Sequence, residues 1–300
     1  MVGSLHFIMP YIKDGGSDKR MRLFAQFLGE ELKRPVEVVN RTGAVVGHTA
    51  IAQAKPDGNT IGMISGEIGM MHWHPNLTPL TFRDYTALAV PFVEASAIIV
   101  RQDAPWKTLA EFLQTARERW IKGSGSPEFG VWKFSLMRLL HVAGIDFTRI
   151  HWTPTISGEE GIAKLIAGEV EVAPVPMVEA PELIFAKKIR PLVTMDSIRH
   201  PLFPDVPTVK EAIGIDLLVT HWRGVVGPRG LAPATAAKLI EACRNISRNP
   251  DFAAACRERG FSIGWFLGED FFRFMEQEDE EYGRVLRPYL AAFPPVSEVH

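Results

Sequence analysis

Residues 5–18 read LHFIMPYIKDGGSD, and this stretch decides the fold. Its first six residues form a short, largely apolar run, which predicts a buried β-strand. Two glycines then precede Ser17 and Asp18, residue types that are favoured at helix N-termini. The next turns carry an apolar stripe at helical spacing, formed by Met21, Phe24, Leu28 and Leu32. A buried strand that passes through a glycine-rich turn into an amphipathic helix is typical of α/β proteins.

The same alternation of strand and helix continues along the chain. It predicts one α/β unit near residues 5–100 and a second near residues 108–218. The C-terminal helices have no strands of their own, so we expect them to return to the first unit. The predicted division is therefore residues 1–101 with 221–300 in lobe 1 and residues 102–220 in lobe 2. We expect the chain to cross between the lobes at residues 100–103 and 217–222.

Composition excludes several classes of partner. The formal net charge is −2, the calculated pI is about 6.5, and no basic run exceeds two residues. Proteins that bind nucleic acid or anionic membranes by electrostatics need a clustered basic surplus, so neither partner is expected. The two cysteines, Cys243 and Cys256, lack the spacing of a metal site. They fall on consecutive predicted helices and could face each other and pair, but buried free thiols are the favoured interpretation. The His72-Trp73-His74 triplet lacks a nearby third ligand, so we predict no metal and no cofactor.

Two glycine-rich loops, each opening a helix, are the candidate binding elements. The first loop, residues 10–18, places paired glycines before a helix N-terminus, an arrangement that suits an anion. The second loop, residues 123–130, reads GSGSPEFG and has neither a GxGxxG nor a phosphate-loop pattern. Either loop is also compatible with an ordinary connection between a strand and a helix.

One enzyme signature is present. Residues 260–264 read GFSIG and match GxSxG, with Ser262 in the nucleophile position. A nucleophile elbow needs a strand before the serine and a helix directly after it. Here the sequence predicts a helix before the motif and makes Gly260 the C-cap of that helix. The motif therefore does not favour a hydrolase, and we predict that the protein is not an enzyme.

A family resemblance rests on motifs in consistent order along almost the whole chain. The first loop has Pro10, Tyr11, paired glycines and Asp18; residues 40–44 read NRTGA; residues 54–60 read AKPDGNT; and residues 203–208 read FPDVPT. These motifs resemble those of the Bug/TctC-type extracytoplasmic receptors of tripartite tricarboxylate transporters, and FPDVPT is the most specific match.

The resemblance implies a type II periplasmic-binding-protein-like fold, in which two α/β lobes joined by a two-strand hinge close on a ligand in the cleft between them. It further implies a solute-binding receptor that captures a small organic acid and delivers it to membrane permease subunits. The acid is expected to be a mono-, di- or tricarboxylate, with aromatic carboxylates included, and the receptor is expected to be a monomer. The predicted ligand-binding residues are Tyr11, Ile12, Lys13, Gly15, Gly16, Ser17, Asp18, Ser65, Gly66, Ser124, Gly125, Ser126, Phe129, Gly130, Trp132, Pro154 and Pro176.

The loops depart from the family pattern in their side chains. The first loop has Ile12, Lys13 and Asp14 where relatives usually carry prolines and a third glycine. The helix that follows the second loop lacks the threonine and histidine that relatives usually carry at its start. The identity of the ligand therefore cannot be inferred from that of a relative. A sensory receptor for a signalling partner remains an alternative to transport, and a serine hydrolase using Ser262 is a less favoured one. We expect a periplasmic protein whose export signal, not evident in the sequence, has been removed.

Overall fold

The computed structural model describes residues 3–74, 76–128 and 130–292. These residues form two compact units, with divisions between Val93 and Glu94 and between His221 and Trp222. Unit 1 holds the N-terminal and C-terminal parts of the chain, and unit 2 holds the part between the divisions. The strands are β1 Leu5–Met9, β2 Val36–Asn40, β3 Thr60–Ser65, β4 Tyr85–Ala95, β5 Ala97–Arg101, β6 Ile121–Ser124, β7 Ile150–Thr153, β8 Ile189–Thr194, β9 Thr220–Pro228 and β10 Ile263–Leu267.

The helices alternate with these strands in the N-terminal three quarters of the chain and dominate its end. They are α1 Gly16–Leu32, α2 Ala44–Ala52, α3 Ile68–Met71, α4 Leu109–Glu118, α5 Val131–Val142, α6 Gly158–Ala167, α7 Pro181–Phe185, α8 Val209–Ile213, α9 Pro233–Ser247, α10 Pro250–Glu258 and α11 Glu269–Ala292. Short 3-10 turns lie at Phe82–Asp84, Phe147–Arg149 and Met177–Glu179. None of the helices within the described residues is long and apolar enough to cross a membrane.

Unit 1 is built on a mixed sheet with strand order β10-β4-β9-β3-β1-β2. β1 pairs in parallel with β2 and β3, and β3 pairs antiparallel with β9. Four of the five β1 residues are buried, as expected for a strand covered on both faces. On one face, α1 packs Met21, Phe24 and Leu28 into a core shared with α9 and α10. The predicted helix after the first loop and the return of the C-terminal helices to this unit are both observed.

Cys243 and Cys256 lie in the same core, on α9 and α10, as buried free thiols. Burial raises the pKa of the Cys243 thiol to about 12 and that of Cys256 to about 11. A thiol reacts through its thiolate, so both cysteines are held in their unreactive form. They contribute to packing as small apolar side chains.

Unit 2 contains two short sheets. β5 pairs antiparallel with β8, and β6 pairs in parallel with β7. Single bridges from Ala173 to Ile99 and from Val172 to Gly123 connect the two pairs through one extended segment. Parallel strands leave their carboxyl ends at the same edge, so the second loop begins at the end of β6 beside the end of β7.

The divisions between the units lie within β4 and β9. The first division is earlier than the expected position after residue 101, because residues 97–101 form β5 and pair with β8 in unit 2. His221, which was assigned to lobe 1, belongs to unit 2. The crossing was predicted at residues 100–103 because they separate the two α/β units, and the sequence pattern does not reveal that the strand before them pairs with β8.

Candidate ligand-binding site

Hydrogen bonds to the Asp18 side chain hold the first loop in place. This carboxylate is fully buried and accepts hydrogen bonds from the Asp14 amide at 2.9 Å, Arg22 Nε at 2.7 Å and Asn40 Nδ2 at 2.8 Å. Burial by itself would raise the pKa of Asp18, but the bonds from Arg22, Asn40 and Asp14 outweigh it and hold the pKa below its ordinary value. Asn40 also donates to the Tyr11 carbonyl at 2.9 Å. Asp18, predicted as a ligand-binding residue, is thus bonded to the loop that it positions.

The loop turns at Asp14 and not at the glycines. Asp14 has a φ of 65°, in the left-handed region that is uncommon for residues other than glycine. Gly15 has an extended backbone with a φ of −70°, and Gly16 begins α1. A Cβ on Gly16 would lie 3.2 Å from Arg20 Nη1, and one on Gly15 would lie 3.3 Å from the Ile12 carbonyl oxygen, which are close contacts that a small shift can relieve. Neither glycine has a positive φ.

The N-terminus of α1 has no capping side chain. Its N-cap residue, Gly15, has no side chain to bond the first amides, and no side-chain cap is present. Helix N-termini carry a partial positive charge and unsatisfied N–H groups, which favour an anion. Ser17, in the first turn, accepts a hydrogen bond from Arg223 Nε at 2.8 Å. Ser17 therefore lies at the positive end of the helix dipole and is also bonded to a guanidinium group.

Arg223 is one of the residues of this cluster that the sequence did not predict. It lies on β9, is only 3% exposed, and is paired in register with Ser65 on β3. Its position depends on the antiparallel pairing of two strands more than 150 residues apart, which the sequence pattern does not reveal. The available signal was an arginine inside the otherwise apolar run of residues 222–228. A buried arginine is costly unless it is paired, so a charged residue there indicates a function.

Tyr11 connects the loop to the end of β3. Its hydroxyl lies 2.8 Å from Ser65 Oγ and donates to Glu67 Oε2 at 2.8 Å. Burial is the main cause that raises the pKa of Tyr11 well above its ordinary value, and the neighbouring Glu67 charge adds to it. Burial also raises the pKa of Glu67, while the Tyr11 hydrogen bond acts in the opposite direction. Tyr11 and Ser65 were predicted as site residues; Glu67 was not.

Gly66, between Ser65 and Glu67, is required for space. A Cβ at this position would lie 2.5 Å from the Tyr282 hydroxyl oxygen of α11. The end of β3 therefore approaches α11 closely enough to exclude any side chain. Ile12 and Lys13 lie at the exposed tip of the first loop, away from this packing.

In the second loop, the serines bond to their own unit. Ser124 is fully buried and donates to the Thr153 carbonyl at 2.7 Å, and Ser126 Oγ donates to the Pro127 carbonyl at 3.0 Å. Ser126 Oγ also accepts from the Lys133 amide at 3.4 Å, at the start of α5. These hydroxyls hold the loop shape, so a ligand here would meet mainly backbone groups.

Close packing fixes the glycines of this loop. Gly125 has a φ of 144°, and a Cβ on it would lie 2.9 Å from Val175 Cγ1. A Cβ on Gly130 would lie 2.4 Å from Ser126 Oγ. The predicted site residue Phe129 lies outside the described residues. The loop backbone is therefore folded tightly on itself.

The remaining predicted residues of unit 2 differ in accessibility. Trp132 is 5% exposed and its ring lies 5.0 Å from that of His221. Lys133, which was not a predicted site residue, lies in the first turn of α5 and is paired with Glu128. Pro154 is exposed after β7, and Pro176 is buried before the 3-10 turn at Met177–Glu179. Trp132 therefore contributes mainly an apolar ring surface.

The geometry around Ser262 does not support a nucleophile elbow. The helix α10 precedes it and β10 follows it, the reverse of the required order. Gly260 has a φ of 66° just after the C-terminus of α10, as expected for a residue that ends a helix. His72 Nε2 lies 3.1 Å from Asp279 Oδ1, and no group of three potential metal ligands converges anywhere in the described part of the chain.

Comparison with known proteins gives a family match over most of the chain. Residues 21–289 match the model of TctC, the tripartite tricarboxylate transporter family receptor. A curated relative, the UPF0065 protein in the tcbD-tcbE intergenic region of Pseudomonas sp. (strain P51), is 25% identical over 288 residues, covering 94% of this chain and 85% of the relative.

Solved structures agree with this match in fold. MatC from Rhodopseudomonas palustris with bound malate has a TM-score of 0.79 at 23% identity, covering 95% of this chain and 99% of that one. The R. palustris protein Rpa4515 with adipate has a TM-score of 0.82 at 20% identity, covering 95% and 97%. The predicted fold class, α/β and type II periplasmic-binding-protein-like, is confirmed.

Proposed function

The chain belongs to the tripartite tricarboxylate transporter family of receptors, and from this premise we propose that it captures a small organic carboxylate for uptake. Members of the family are solute-binding receptors and not enzymes. The chemistry of unit 1 supports a carboxylate as the solute. The malate and adipate in the two solved neighbours are carboxylates, although these ligands belong to those proteins.

The single observation that carries the proposal is the meeting of Arg223, Ser17 and the start of α1. Arg223 brings a permanent charge to a buried position, where its attraction for an anion is screened less than at the surface. A guanidinium presents N–H groups in a planar fork that matches a carboxylate. The uncapped first turn of α1 adds backbone N–H donors on the same serine. A carboxylate bound there would accept from both.

The part played by the other predicted residues is also a proposal. In unit 1, Tyr11, Ser65 and Gly66 are proposed to shape the site beside Arg223. In unit 2, we propose contacts from backbone groups of the second loop and from the Trp132 ring, because the hydroxyls of Ser124 and Ser126 are bonded to backbone carbonyls. An aromatic or aliphatic solute body would suit Trp132.

A thermal-shift screen tests the proposal. A library of mono-, di- and tricarboxylates, with aromatic acids included, is compared with sugars and cationic amines. A solute at about one hundred times its dissociation constant should add about 2.7 kcal/mol of stability, which is a shift of several degrees. Calorimetry then gives the dissociation constant of each hit. Stabilisation by sugars or amines alone, with no response to any carboxylate, would contradict the proposal.

We also propose a partner and a cellular location for the protein. We propose that the receptor acts as a monomer in the periplasm and passes its solute to permease subunits. A strain that lacks the receptor gene should lose uptake of the radiolabelled solute and regain it when the gene is restored. If uptake is unchanged while a response to the solute is lost, the protein is a sensory receptor instead. Gel filtration and cell fractionation check the monomer and the location.

A further inference from the structure

A carboxylate lies within the candidate anion site. Glu67 follows the end of β3 and receives the Tyr11 hydroxyl hydrogen at 2.8 Å. The same hydroxyl lies 2.8 Å from Ser65, whose register partner across the β3–β9 pair is Arg223. Register partners in antiparallel strands are neighbours, so Arg223 and Glu67 are connected through two side chains. Both charges act on Tyr11, Glu67 raising its pKa and Arg223 lowering it.

This arrangement differs from a site built for a polyanion. A site for two or three carboxylates should accumulate donors and cations, whereas here a glutamate is connected to Arg223 through Tyr11 and Ser65. Asp18 and Arg22 bond to each other at 2.7 Å and add no net charge. A second ionised carboxylate on the solute would be repelled if it approached Glu67.

Glu67 also has room for another donor. Among the described residues, Tyr11 supplies the one hydrogen bond recorded to this carboxylate, at Oε2. A carboxylate has two oxygens with about four acceptor positions, so Glu67 is far from saturated. Its partial burial makes an added donor more favourable than it would be in bulk water. A solute hydroxyl or amino group would supply such a donor.

We propose that Glu67 is a specificity-determining residue, which selects a monocarboxylate carrying a hydroxyl or amino donor and disfavours a second carboxylate. The inference rests on the proposed function, since it assumes that the first carboxylate binds at Arg223 and Ser17. The shared chemistry is a donor group aimed at Glu67. A charged amine and a neutral hydroxyl are two versions of that chemistry, and the test separates them.

The experiment uses ω-substituted straight-chain acids of equal length. For chains of four, five and six carbons, calorimetry at pH 7.5 compares the unsubstituted acid, the ω-hydroxy acid, the ω-amino acid and the diacid. The wild-type protein should bind the hydroxy or the amino acid at least tenfold more tightly than the diacid of the same length. A preference for the amino acid over the hydroxy acid would identify a cationic group as the partner of Glu67.

Glu67→Gln keeps the size of the side chain and removes its charge. We expect this variant to narrow the ratio between the donor-bearing acid and the diacid at least tenfold, through weaker binding of the first and tighter binding of the second. Glu269→Gln, at an exposed position on α11, is the matched control and should leave the ratio unchanged. Melting temperatures of both variants check that they are folded.

Two results would overturn the inference. One is a wild-type preference for the diacid or the unsubstituted acid at every length, a comparison that does not depend on any variant folding. The other is a folded Glu67→Gln protein with an unchanged ratio, which would also be expected if Glu67 were protonated and donated to a solute carboxylate. Tight binding of diacids would leave the proposed function intact. Failure of every carboxylate in the wider screen would instead remove the proposed function itself.

Discussion

The two glycine- and serine-rich loops have similar sequences and different chemistry. Each opens a helix whose N-cap is a glycine, Gly15 in unit 1 and Gly130 in unit 2. In unit 1 the loop serine, Ser17, is bonded to a buried arginine. In unit 2 the loop serines donate to backbone carbonyls, and the nearby cation, Lys133, is paired with Glu128. Composition alone therefore does not distinguish a recognition loop from a supporting one; the neighbours contributed by distant strands do.

The first prediction concerns a fully buried histidine of unit 1. His48, on α2, is fully buried, and burial lowers its pKa to about 4 from 6.5. The unfolded chain takes up a proton near pH 6.5 and the folded chain only near pH 4, so stability should fall as the pH drops through this window. The loss from this group is about 3 kcal/mol at most. Hydrogen exchange should show unit 1 opening first as the pH falls from 7 to 4.

His48→Leu is the matched variant for this prediction. It removes the titrating group, so its melting temperature should decrease less than that of the wild type over the same range. Equal acid sensitivity of the two proteins would show that other groups cause the loss. Earlier opening of unit 2 would contradict the assignment of the acid-labile region.

The second prediction compares the cations of the two loops. Arg223→Met removes the charged donor in unit 1, and charged hydrogen bonds contribute about 1.5–3 kcal/mol each. Binding of the best carboxylate should weaken by about 10- to 150-fold. Lys133→Met should change it by less than about fivefold, because Lys133 is paired with Glu128 within unit 2. Calorimetry on both folded variants measures the two losses of carboxylate affinity. A larger loss in Lys133→Met than in Arg223→Met would mean that the cation of unit 2 contributes more to binding.

The third prediction concerns the loop backbones. Gly125→Ala places a Cβ at a φ of 144° and 2.9 Å from Val175. The strain should cost about 1–2 kcal/mol of stability. Gly15→Ala has an ordinary φ of −70°, and its Cβ would lie 3.3 Å from Cγ1 and from the carbonyl oxygen of Ile12, a residue of the exposed loop tip that a small shift can accommodate. It should cost less than about 0.5 kcal/mol. Denaturant unfolding measures both, and equal costs would show that the second loop is not the more constrained.

The smallest effect is expected at the tip of the first loop. Lys13 is exposed, and a screened surface charge contributes about 0–1 kcal/mol. Lys13→Ala should therefore weaken carboxylate binding by no more than about fivefold. A loss comparable to that of Arg223→Met would mean that the solute carboxylate is bound at the tip and not at Ser17.

Local pattern was sufficient for much of the fold. The buried strand before the first loop, the α1 stripe and the return of the C-terminal helices all follow from periodicity, which acts over a few turns. The family motifs in addition predicted the fold class. The boundary near residue 94 did not follow, because it depends on the pairing of β5 with β8, about 90 residues away.

The candidate site was predictable only in part. Tyr11, Ser17 and Ser65 follow from loop position, and the structure brings them to one cluster. Arg223 and Glu67 did not follow, since the first enters through the β3–β9 register and the second reads as an ordinary surface carboxylate. The turn at Asp14 was also missed, because its left-handed backbone is stabilised by the bond from its amide to the buried Asp18 carboxylate. Tertiary partners, which a short window of sequence does not contain, decided the first two, whereas the turn at Asp14 depends on a local bond that the sequence pattern does not specify.

The central claim is that the solute carboxylate binds in unit 1 at Arg223 and Ser17. A crystal structure of the protein with the tightest carboxylate from the thermal-shift screen tests it most directly. We predict a carboxylate oxygen within about 3.2 Å of an Arg223 guanidinium nitrogen or of the Ser17 amide nitrogen, as in an ordinary hydrogen bond. A solute whose carboxylate contacts neither group would contradict the account.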